Sequence, residues 1–221
     1  MAFIELKDVT KIYGKEDYKT VALSGINLEI EKGEFVSIMG PSGSGKTTLL
    51  NIIGCMDVLT QGEYILDKKS ISKNSENQLA EIRGSFISFI FQNFALMNDY
   101  TVYENIELPL HYKKISKKNK RTKILDSMKM LGISDLSNKR PTQISGGQQQ
   151  RVAIARALVC DAEIILADEP TGSLDQKNGE ELLNILGEIN SQGKTIIIIT
   201  HDQNVANYTK RNINIIDGKI S

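Results

Sequence analysis

The stretch GPSGSGKT, residues 40 to 47, decides the fold that the sequence predicts. It satisfies the phosphate-loop pattern G-x-x-x-x-G-K-[ST], with the apolar run EFVSIM before it and a helical pattern after it. Glycines allow backbone N–H groups of such a loop to face phosphate oxygens, and the following helix presents the positive end of its dipole to the same charge. We therefore expect a nucleotide site in which Lys46 reaches the β- and γ-phosphates and the Thr47 hydroxyl binds Mg²⁺.

A second stretch, EIILADE at 163–169, supplies two acidic residues at the end of a predicted buried strand. Open α/β sheets bind ligands beyond the carboxyl ends of their strands, so Asp168 is a candidate for holding Mg²⁺ through water. Successive strand residues point to opposite sides, which makes Glu169 a candidate base or orienting group for the attacking water. The alternative is an ordinary acidic strand end at the surface, an interpretation that fits Glu169 better than Asp168.

The pattern of hydrophobic residues divides the rest of the chain into three parts. FIELKDV (3–9) and LSGINLEI (23–30) alternate with period two, which predicts half-buried antiparallel strands. EFVSIM, EIILADE and KTIIIIT (194–200) are uniformly apolar and predict a parallel core, with further strands near 64–66 and 86–91. Residues 98–162 carry little strand signal and two or three helical stretches, one of which places Ile124, Met128 and Leu131 on one face. We expect one α/β domain over 1–221, with an N-terminal antiparallel β subdomain and a helical subdomain inserted at about 98–162.

The composition limits the classes of protein that fit. With 40% hydrophobic and 24% charged residues, the chain is typical of a soluble globular protein. Its 27 basic and 27 acidic residues balance, which argues against a nucleic-acid partner. No apolar run approaches the ~18 residues that span a bilayer. Cys55 and Cys160 lack metal-ligand spacing, so we expect a reduced cytosolic setting.

Five further stretches resemble motifs of one family, the ATP-binding-cassette (ABC) ATPases. They are SGGQ (145–148), which resembles the ABC signature, FIFQNF with Gln92, GSLD (172–175), IIIITHD with His201, and TKIYG with Tyr13. Their order and spacing agree over essentially the whole chain. Within the family, the phosphate-loop segment, ENIELPL and SGGQQQRVAIARAL are most similar to the MacB/LolD group of macrolide exporters, peptide exporters and lipoprotein-release machines.

The resemblance implies a RecA-like P-loop NTPase core that binds ATP and Mg²⁺. It also implies a homodimer in which two subunits pack head to tail, so that each signature closes over the ATP held by the other subunit. The residues that it implies for nucleotide binding are Tyr13 on the adenine, Gly40, Pro41, Ser42, Gly43, Ser44, Gly45, Lys46, Thr47 and Thr48 on the phosphates, and Ser145, Gly146, Gly147, Gln148 and Asp175 across the interface. Those for the metal are Thr47, Gln92 and Asp168, and those for catalysis are Lys46, Gln92, Glu169 and His201.

The signature stretch also has a physical interpretation of its own. Ser145 stands where an N-cap belongs, and the helix after it buries Val152, Ala155 and Val159. A capped helix after a turn is the simpler interpretation. Two glycines are not needed for a cap, however, and they lower helix stability unless something approaches the backbone. The stretch therefore predicts a second anion site, which could hold the same chain's nucleotide or, as the resemblance implies, the partner's.

The resemblance further implies a membrane permease on a separate chain, with a cytoplasmic location at the inner face of the membrane and a membrane-fusion adaptor as a possible further partner. Phe94, Leu96, Met97 and Tyr100 could line a groove for a short permease helix or form the core of the helical part; the resemblance favours the groove. The basic run at 111–123 fits a solvated helix first, anionic lipid second and nucleic acid third.

Three other functions are found among proteins with similar cassettes. DNA-repair ABC ATPases carry a long coiled coil or zinc modules between the two glycine turns, and ribosome-associated factors join two cassettes; this chain has neither feature. A cell-division ATPase that signals through a membrane partner stays open. Among transported substrates, the Lys-, Ile- and Asn-rich composition favours peptide or drug efflux over lipoprotein release.

Overall fold

The computed structural model describes residues 2–14 and 18–221. Its strands lie in two sheets, one antiparallel and one mostly parallel. The strands, numbered along the described chain, are β1 (Ile4–Tyr13), β2 (Thr20–Ile30), β3 (Phe35–Met39), β4 (Gln61–Leu66), β5 (Lys69–Ser70), β6 (Ile87–Phe91), β7 (Ile164–Asp168), β8 (Thr195–Ile199), β9 (Arg211–Ile216) and β10 (Lys219–Ile220).

The antiparallel sheet has the order β2-β1-β4-β5. Ile4 pairs with Ile30 on one side and with Leu66 on the other, and all three side chains are buried. The period-two alternation in the sequence arises because alternate side chains face this core and the others face outward. The predicted antiparallel β subdomain is therefore confirmed in type and position.

The second sheet has the order β10-β9-β3-β8-β7-β6, and β3, β6, β7, β8 and β9 run parallel. Strands β3, β7 and β8 are buried along nearly their whole length, which explains their uniform hydrophobicity. One row of paired residues crosses four strands of the sheet: Ile38 pairs with Ile199, Ile199 with Asp168, and Asp168 with Phe91. The predicted α/β core with buried parallel strands is confirmed.

Helices cover the parallel sheet and form the middle of the chain. The α-helices of the described residues are α1 (Lys46–Ile53), α2 (Glu76–Phe86), α3 (Val102–Glu107), α4 (Lys117–Met130), α5 (Gly146–Leu158), α6 (Gln176–Ser191) and α7 (Gln203–Tyr208). Residues 98–162 contain α3, α4 and α5 with short 3₁₀ turns between them. Ile124, Met128 and Leu131 are buried in one cluster with Val152 of α5. The limits 98–162 of a separate helical subdomain stay a prediction.

Two local expectations need correction. The strand expected at 86–91 begins at Ile87, because Phe86 ends α2. Helix α2 itself was not predicted: only its Leu79 is buried, so the sequence shows no continuous apolar face. In the described part of the chain, the helices are too short or too polar to cross a membrane.

Candidate nucleotide site and signature turn

The carboxyl edge of the parallel sheet gathers residues that the sequence analysis had singled out separately. Gln92 follows Phe91, and Phe91 pairs with Asp168. Asp168 pairs with Ile199, two residues before His201, and Ile199 pairs with Ile38, two residues before the phosphate loop. Because carboxyl ends of parallel strands share one edge, three strands besides β3 present candidate side chains beside the loop.

The phosphate loop connects β3 to α1 through glycines in the left-handed region. Gly40 has φ 151° and Gly45, the N-cap of α1, has φ 103°. A Cβ at Gly40 would lie 2.0 Å from the Ile215 carbonyl oxygen, and one at Gly45 would lie 2.5 Å from the Ala22 oxygen. Both positions therefore need glycine for conformation and for space. The Lys46 ammonium closes the loop by donating to the carbonyl oxygens of Gly40 (2.9 Å) and Pro41 (2.8 Å).

Asp168 and Glu169 end β7 in different environments. Burial raises the pKa of the half-buried Asp168 carboxyl, the charge of Glu169 raises it further, and Lys46 opposes both. Glu169 lies in the left-handed region with φ 46°, a strained conformation for this residue type. Its Oε1 is 2.7 Å from Nδ1 of His201, and its Oε2 accepts a longer bond of 3.5 Å from the Thr200 hydroxyl.

The pair of Glu169 and His201 borders a groove of about 520 Å³ that Asp175 also lines. The Glu169 side chain is 17% exposed and that of His201 is 76% exposed, so a largely buried carboxylate contacts an imidazole that is open to solvent. Gln92 reaches the same segment: a Cβ at Gly172 would lie 2.7 Å from its Nε2. The predicted catalytic residues Gln92, Glu169 and His201 thus lie at one edge.

Tyr13 ends β1 and is 41% exposed. Its hydroxyl donates to Oδ2 of Asp57 at 2.6 Å, and the ammonium of Lys11 lies over its ring, 4.7 Å from the centroid. Lys11 also bonds Oδ1 of Asp57 at 2.6 Å. Tyr13 is a predicted site residue, whereas its contacts with Lys11 and Asp57 were not predicted from the sequence.

The signature turn is capped by its own side chains. Ser145 Oγ accepts from the Gln148 amide at 3.3 Å, while Gln148 Oε1 accepts from the Ser145 amide at 3.0 Å, which completes a capping box. The helix buries Val152 and Ala155, as its pattern predicts. Within it, Gln150 is 1% exposed and its Nε2 donates to the Pro170 oxygen at 3.0 Å, so α5 contacts the segment after Glu169.

Gly147 lies against helix α6. A Cβ there would be 2.4 Å from Oδ1 of Asn178, whereas for one at Gly146 the nearest described side chain is Phe94 at 3.9 Å. Asn178 is itself held by Asp175, the N-cap of α6. The backbone amide of Asn178 donates to Oδ1 of Asp175 at 2.9 Å, and Nδ2 of Asn178 donates to Oδ2 of Asp175 at 2.7 Å. These bonds from Asn178 lower the pKa of Asp175. Asn178, which the sequence analysis missed, therefore connects the signature to Asp175.

The residues at the loop fit a nucleotide with a hard divalent cation. The Ser44 hydroxyl is buried without a hydrogen-bond partner among the described residues, in contact range of Gly40. The Thr47 hydroxyl, the Asp168 carboxylate and the Gln92 amide oxygen are the kind of hard oxygen ligand that Mg²⁺ takes alongside phosphate oxygens. The donor set is therefore chemically suited to the predicted ATP and Mg²⁺.

Comparison with known proteins agrees with this geometry. Residues 23–172 match the family described as ABC transporter. The chain belongs to the ABC transporter family. It is an ATP-binding cassette, and its enzyme class is ATPase.

Two groups of relatives are similar over nearly the whole cassette. It is 49% identical over 217 residues, 98% of its length, to the macrolide export ATP-binding/permease protein MacB of Hyphomonas neptunium, but spans only 34% of that protein. It is 48% identical to the ABC transporter ATP-binding protein MJ0796 of Methanocaldococcus jannaschii, covering 98% of the cassette and 94% of the relative. The cassette thus spans about a third of the MacB relatives that it matches.

Solved structures give the same fold. The dimeric structure of MJ0796 superposes with a TM-score of 0.90 at 47% identity, covering 99% of the cassette and 96% of that chain. A dimeric post-hydrolysis state of MJ0796 bound to ADP and Pi also has a TM-score of 0.90, at 46% identity over 99% and 96% of the two chains. The predicted fold class is confirmed.

The four residues that were expected to line a docking groove divide into two sets. Leu96 packs against the core of the helical part, and Phe94 is half-buried near Gly146. Met97 is 51% exposed and Tyr100 is 41% exposed. An apolar groove of about 1210 Å³ lies elsewhere, lined by residues of α2, β6, the segment 108–115 and the end of α5.

Proposed function

We propose that the cassette is one of two identical ATPase subunits that close over two ATP molecules and drive a membrane permease carried on another chain. Each ATP lies on the phosphate loop of one subunit and meets Ser145, Gly146, Gly147 and Asp175 of the other. The resulting C₂ dimer has two composite sites, and closure on ATP followed by opening after hydrolysis moves whatever is docked on the subunits.

The main support for a site shared between two subunits comes from the surroundings of Gly146. Apart from its chain neighbours and its own helix backbone, no described atom comes nearer than 3.9 Å to where its Cβ would be, and its φ is not in the left-handed region, so this fold does not require glycine there. Among the described residues, no hydrogen bond joins Ser145–Gln148 to Gly40–Thr47. A helix start whose capping box leaves the Gly146 and Gly147 amides uncapped is what an anion from a second subunit needs.

At each phosphate loop and the neighbouring edge of the parallel sheet, the residues have different roles. The loop amides and Lys46 bind the phosphates, and Thr47, Asp168 and Gln92 hold Mg²⁺, which neutralises phosphate charge when bound. Glu169 accepts a proton from water or orients it, and His201 fixes the carboxylate through the 2.7 Å contact. Strained backbone conformations such as that of Glu169 are typical of functional sites, and here the strained residue is the one that contacts His201.

The apolar groove beside α2 is the proposed docking site for the permease. Leu108, Pro109 and Ile115 line one side of it and Ile87 and Phe89 the other. Its size and apolar lining suit one short helix. We propose peptide, drug or lipid-linked molecules as the transported class, because the MacB relatives are macrolide export proteins.

A mixing experiment tests the shared site. In a Glu169→Gln background, which slows hydrolysis and keeps ATP bound, we expect an ATP-dependent dimer by size-exclusion chromatography. Adding Lys46→Ala removes one phosphate contact, while Ser145→Asp keeps a good N-cap and places a negative charge against the partner's phosphate. Each variant alone should stay monomeric with ATP, and an equimolar mixture should dimerise, because the heterodimer has one intact site.

The outcomes separate the parts of the proposal. A Glu169→Gln cassette that stays monomeric with bound ATP would contradict the ATP-closed dimer. A mixture that stays monomeric, while Glu169→Gln alone dimerises, would contradict sharing between subunits.

The groove has its own test. Gly84 of α2 lines the groove, and a Cβ there would meet no described atom within 4 Å, so we use Gly84→Trp to place a bulky side chain in the groove. We expect this variant to keep ATP-dependent dimerisation and to lose co-fractionation with host membranes. Gly84→Ala is the matched control; equal membrane association of both variants would exclude this docking site.

A further inference from the structure

The phosphate loop explains how a triphosphate binds, but it does not explain a cluster that includes Asp57, four residues after the end of α1. Lys11, Asp57 and Tyr13 contact one another, although Lys11 and Asp57 are 46 positions apart. Lys11 is 7% exposed and is the one charged residue in the buried set of the described chain. A buried ammonium destabilises a fold unless it is fully paired, so its place in the structure needs a reason.

The pairing of Lys11 is close to complete. Its Nζ donates to Oδ1 of Asp57 at 2.6 Å and to the Val58 carbonyl oxygen at 2.7 Å. The remaining direction faces the ring of Tyr13, with 4.7 Å between Nζ and the centroid. That distance is within the range of a cation–π contact. The ammonium therefore covers one face of the Tyr13 ring.

The far end of the same ring is held by Asp57. The Tyr13 hydroxyl donates to Oδ2 at 2.6 Å, and Asp57 uses its two oxygens for two different partners. Burial pushes the pKa of Asp57 up, but bonds from Lys11, Tyr13 and the Val58 amide lower it by more, so this carboxylate stays charged. Tyr13 is thus fixed at its hydroxyl and on one face while 41% of the residue remains exposed.

Asp57 also ties this ring to the phosphate loop. Its backbone amide donates to the Asn51 oxygen at 3.2 Å, in the last turns of the helix that Lys46 begins. The ring of Tyr13 is therefore placed relative to α1, not only relative to its own strand.

We propose that Asp57 and Lys11 are positioning residues that hold the Tyr13 ring for stacking on the base of a nucleoside triphosphate. The base lies on the ring face that Lys11 leaves open, and the cluster sets how much affinity the base adds to that of the phosphates. This inference rests on the proposed function, because Tyr13 meets a base only when the phosphate loop holds a nucleotide.

Two ligands separate the base from the phosphates: ATP, and inorganic tripolyphosphate, each titrated with Mg²⁺ by calorimetry. Stacking on an aromatic ring makes a base-dependent contribution, and we expect Tyr13→Ala to weaken ATP binding about 10-fold. Asp57→Asn, which keeps shape but loses charge, should weaken it about 5-fold, and Tyr13→Phe about 3-fold. None of these should change tripolyphosphate affinity by more than about twofold, because the loop is untouched. Lys7→Met on the same strand, from an exposed pair with Glu5, is the control and should change neither affinity.

A double-mutant cycle shows whether Asp57 acts through Tyr13. In a Tyr13→Ala background, Asp57→Asn should cause no further loss of ATP affinity. Additive losses, an equal loss for both ligands, or unchanged ATP affinity in Asp57→Asn would overturn the proposal. Failure of the proposed function looks different: the wild-type cassette would bind neither ligand, or Lys46→Ala would bind both normally.

Discussion

Two glycine-rich turns each open a helix in this cassette, and they do so by different physics. The phosphate loop enters α1 through Gly45 in the left-handed region, with no side-chain cap on the helix. The signature enters α5 through Ser145 in an extended conformation, with a complete capping box. The first turn of α1 therefore keeps its amides for a phosphate, whereas α5 has already satisfied its third amide internally.

The reason for glycine differs in the same way. Gly40 and Gly45 need their positive φ angles, but neither glycine of the signature is in the left-handed region. Gly147 is a glycine because Asn178 occupies the space of its Cβ, and Gly146 has no such neighbour. The two turns are therefore not the equivalent anion sites that the sequence had suggested. In the signature, only the amides of Gly146 and Gly147 are left uncapped for an anion.

The largest effect is expected at the phosphate loop. Lys46→Ala removes the ammonium that bonds the loop carbonyls and meets the phosphates, and charge-assisted bonds of this kind are the strong ones. We expect ATP affinity to fall about 100-fold, equivalent to about 2.7 kcal/mol, measured by calorimetry. Lys69→Ala, an exposed lysine of β5, is the control. Unchanged affinity in Lys46→Ala would refute the phosphate-loop assignment.

Gly147→Ala tests the contact with Asn178. The new Cβ would lie 2.4 Å from Oδ1 of Asn178, so the Asn178 side chain must move. This movement breaks the 2.7 Å bond from its Nδ2 to Asp175. We expect the free energy of unfolding to drop by about 2 kcal/mol in denaturant titrations. Asn178→Ser in the same chain shortens the side chain and should restore about half of that loss. Additive destabilisation in the double variant would show that the contact is not responsible.

The sequence could predict the parts of this site that depend on local patterns, but not those that depend on contacts between distant positions. Asp168, Glu169 and His201 could be placed, because each ends an apolar strand and parallel strands share an edge. The contact between Lys11 and Tyr13 could also have been predicted, because Lys11 lies two positions before Tyr13, on the same face of β1. The contacts of Asp57 had no such signal, because Lys11 and Tyr13 are 46 and 44 positions away and a single sequence holds no record of distant contacts. The same holds for the contact of Asn178 with Gly147, 31 positions away, although its bond to Asp175 is local. The groove beside α2 could not be predicted from the sequence for a related reason, because α2, which forms one wall, has almost no apolar face. The docking groove expected at Phe94, Leu96, Met97 and Tyr100 stays a prediction.

Ser145→Ala separates capping from phosphate binding in the signature. Loss of the Ser145 hydroxyl leaves the Gln148 amide without its acceptor, and we expect about 1 kcal/mol of destabilisation. Ser145→Asp should keep this stability. Thermal unfolding of both variants without nucleotide gives the comparison, and equal destabilisation of the two would show that the cap is not what Ser145 supplies to the isolated chain.

The smallest effect on stability, and the one with opposite sign, is expected at Gly146. An alanine there meets only Phe94 at 3.9 Å, an ordinary contact, and alanine favours helix over glycine. Gly146→Ala should therefore stabilise the isolated cassette by up to about 1 kcal/mol, while in a Glu169→Gln background it should weaken the ATP-dependent dimer. Denaturant titration and size-exclusion chromatography on the same preparation measure the two effects. A variant that is stabilised and dimerises normally would show that nothing from a second subunit approaches this backbone, and the two turns would then differ in function as well as in physics.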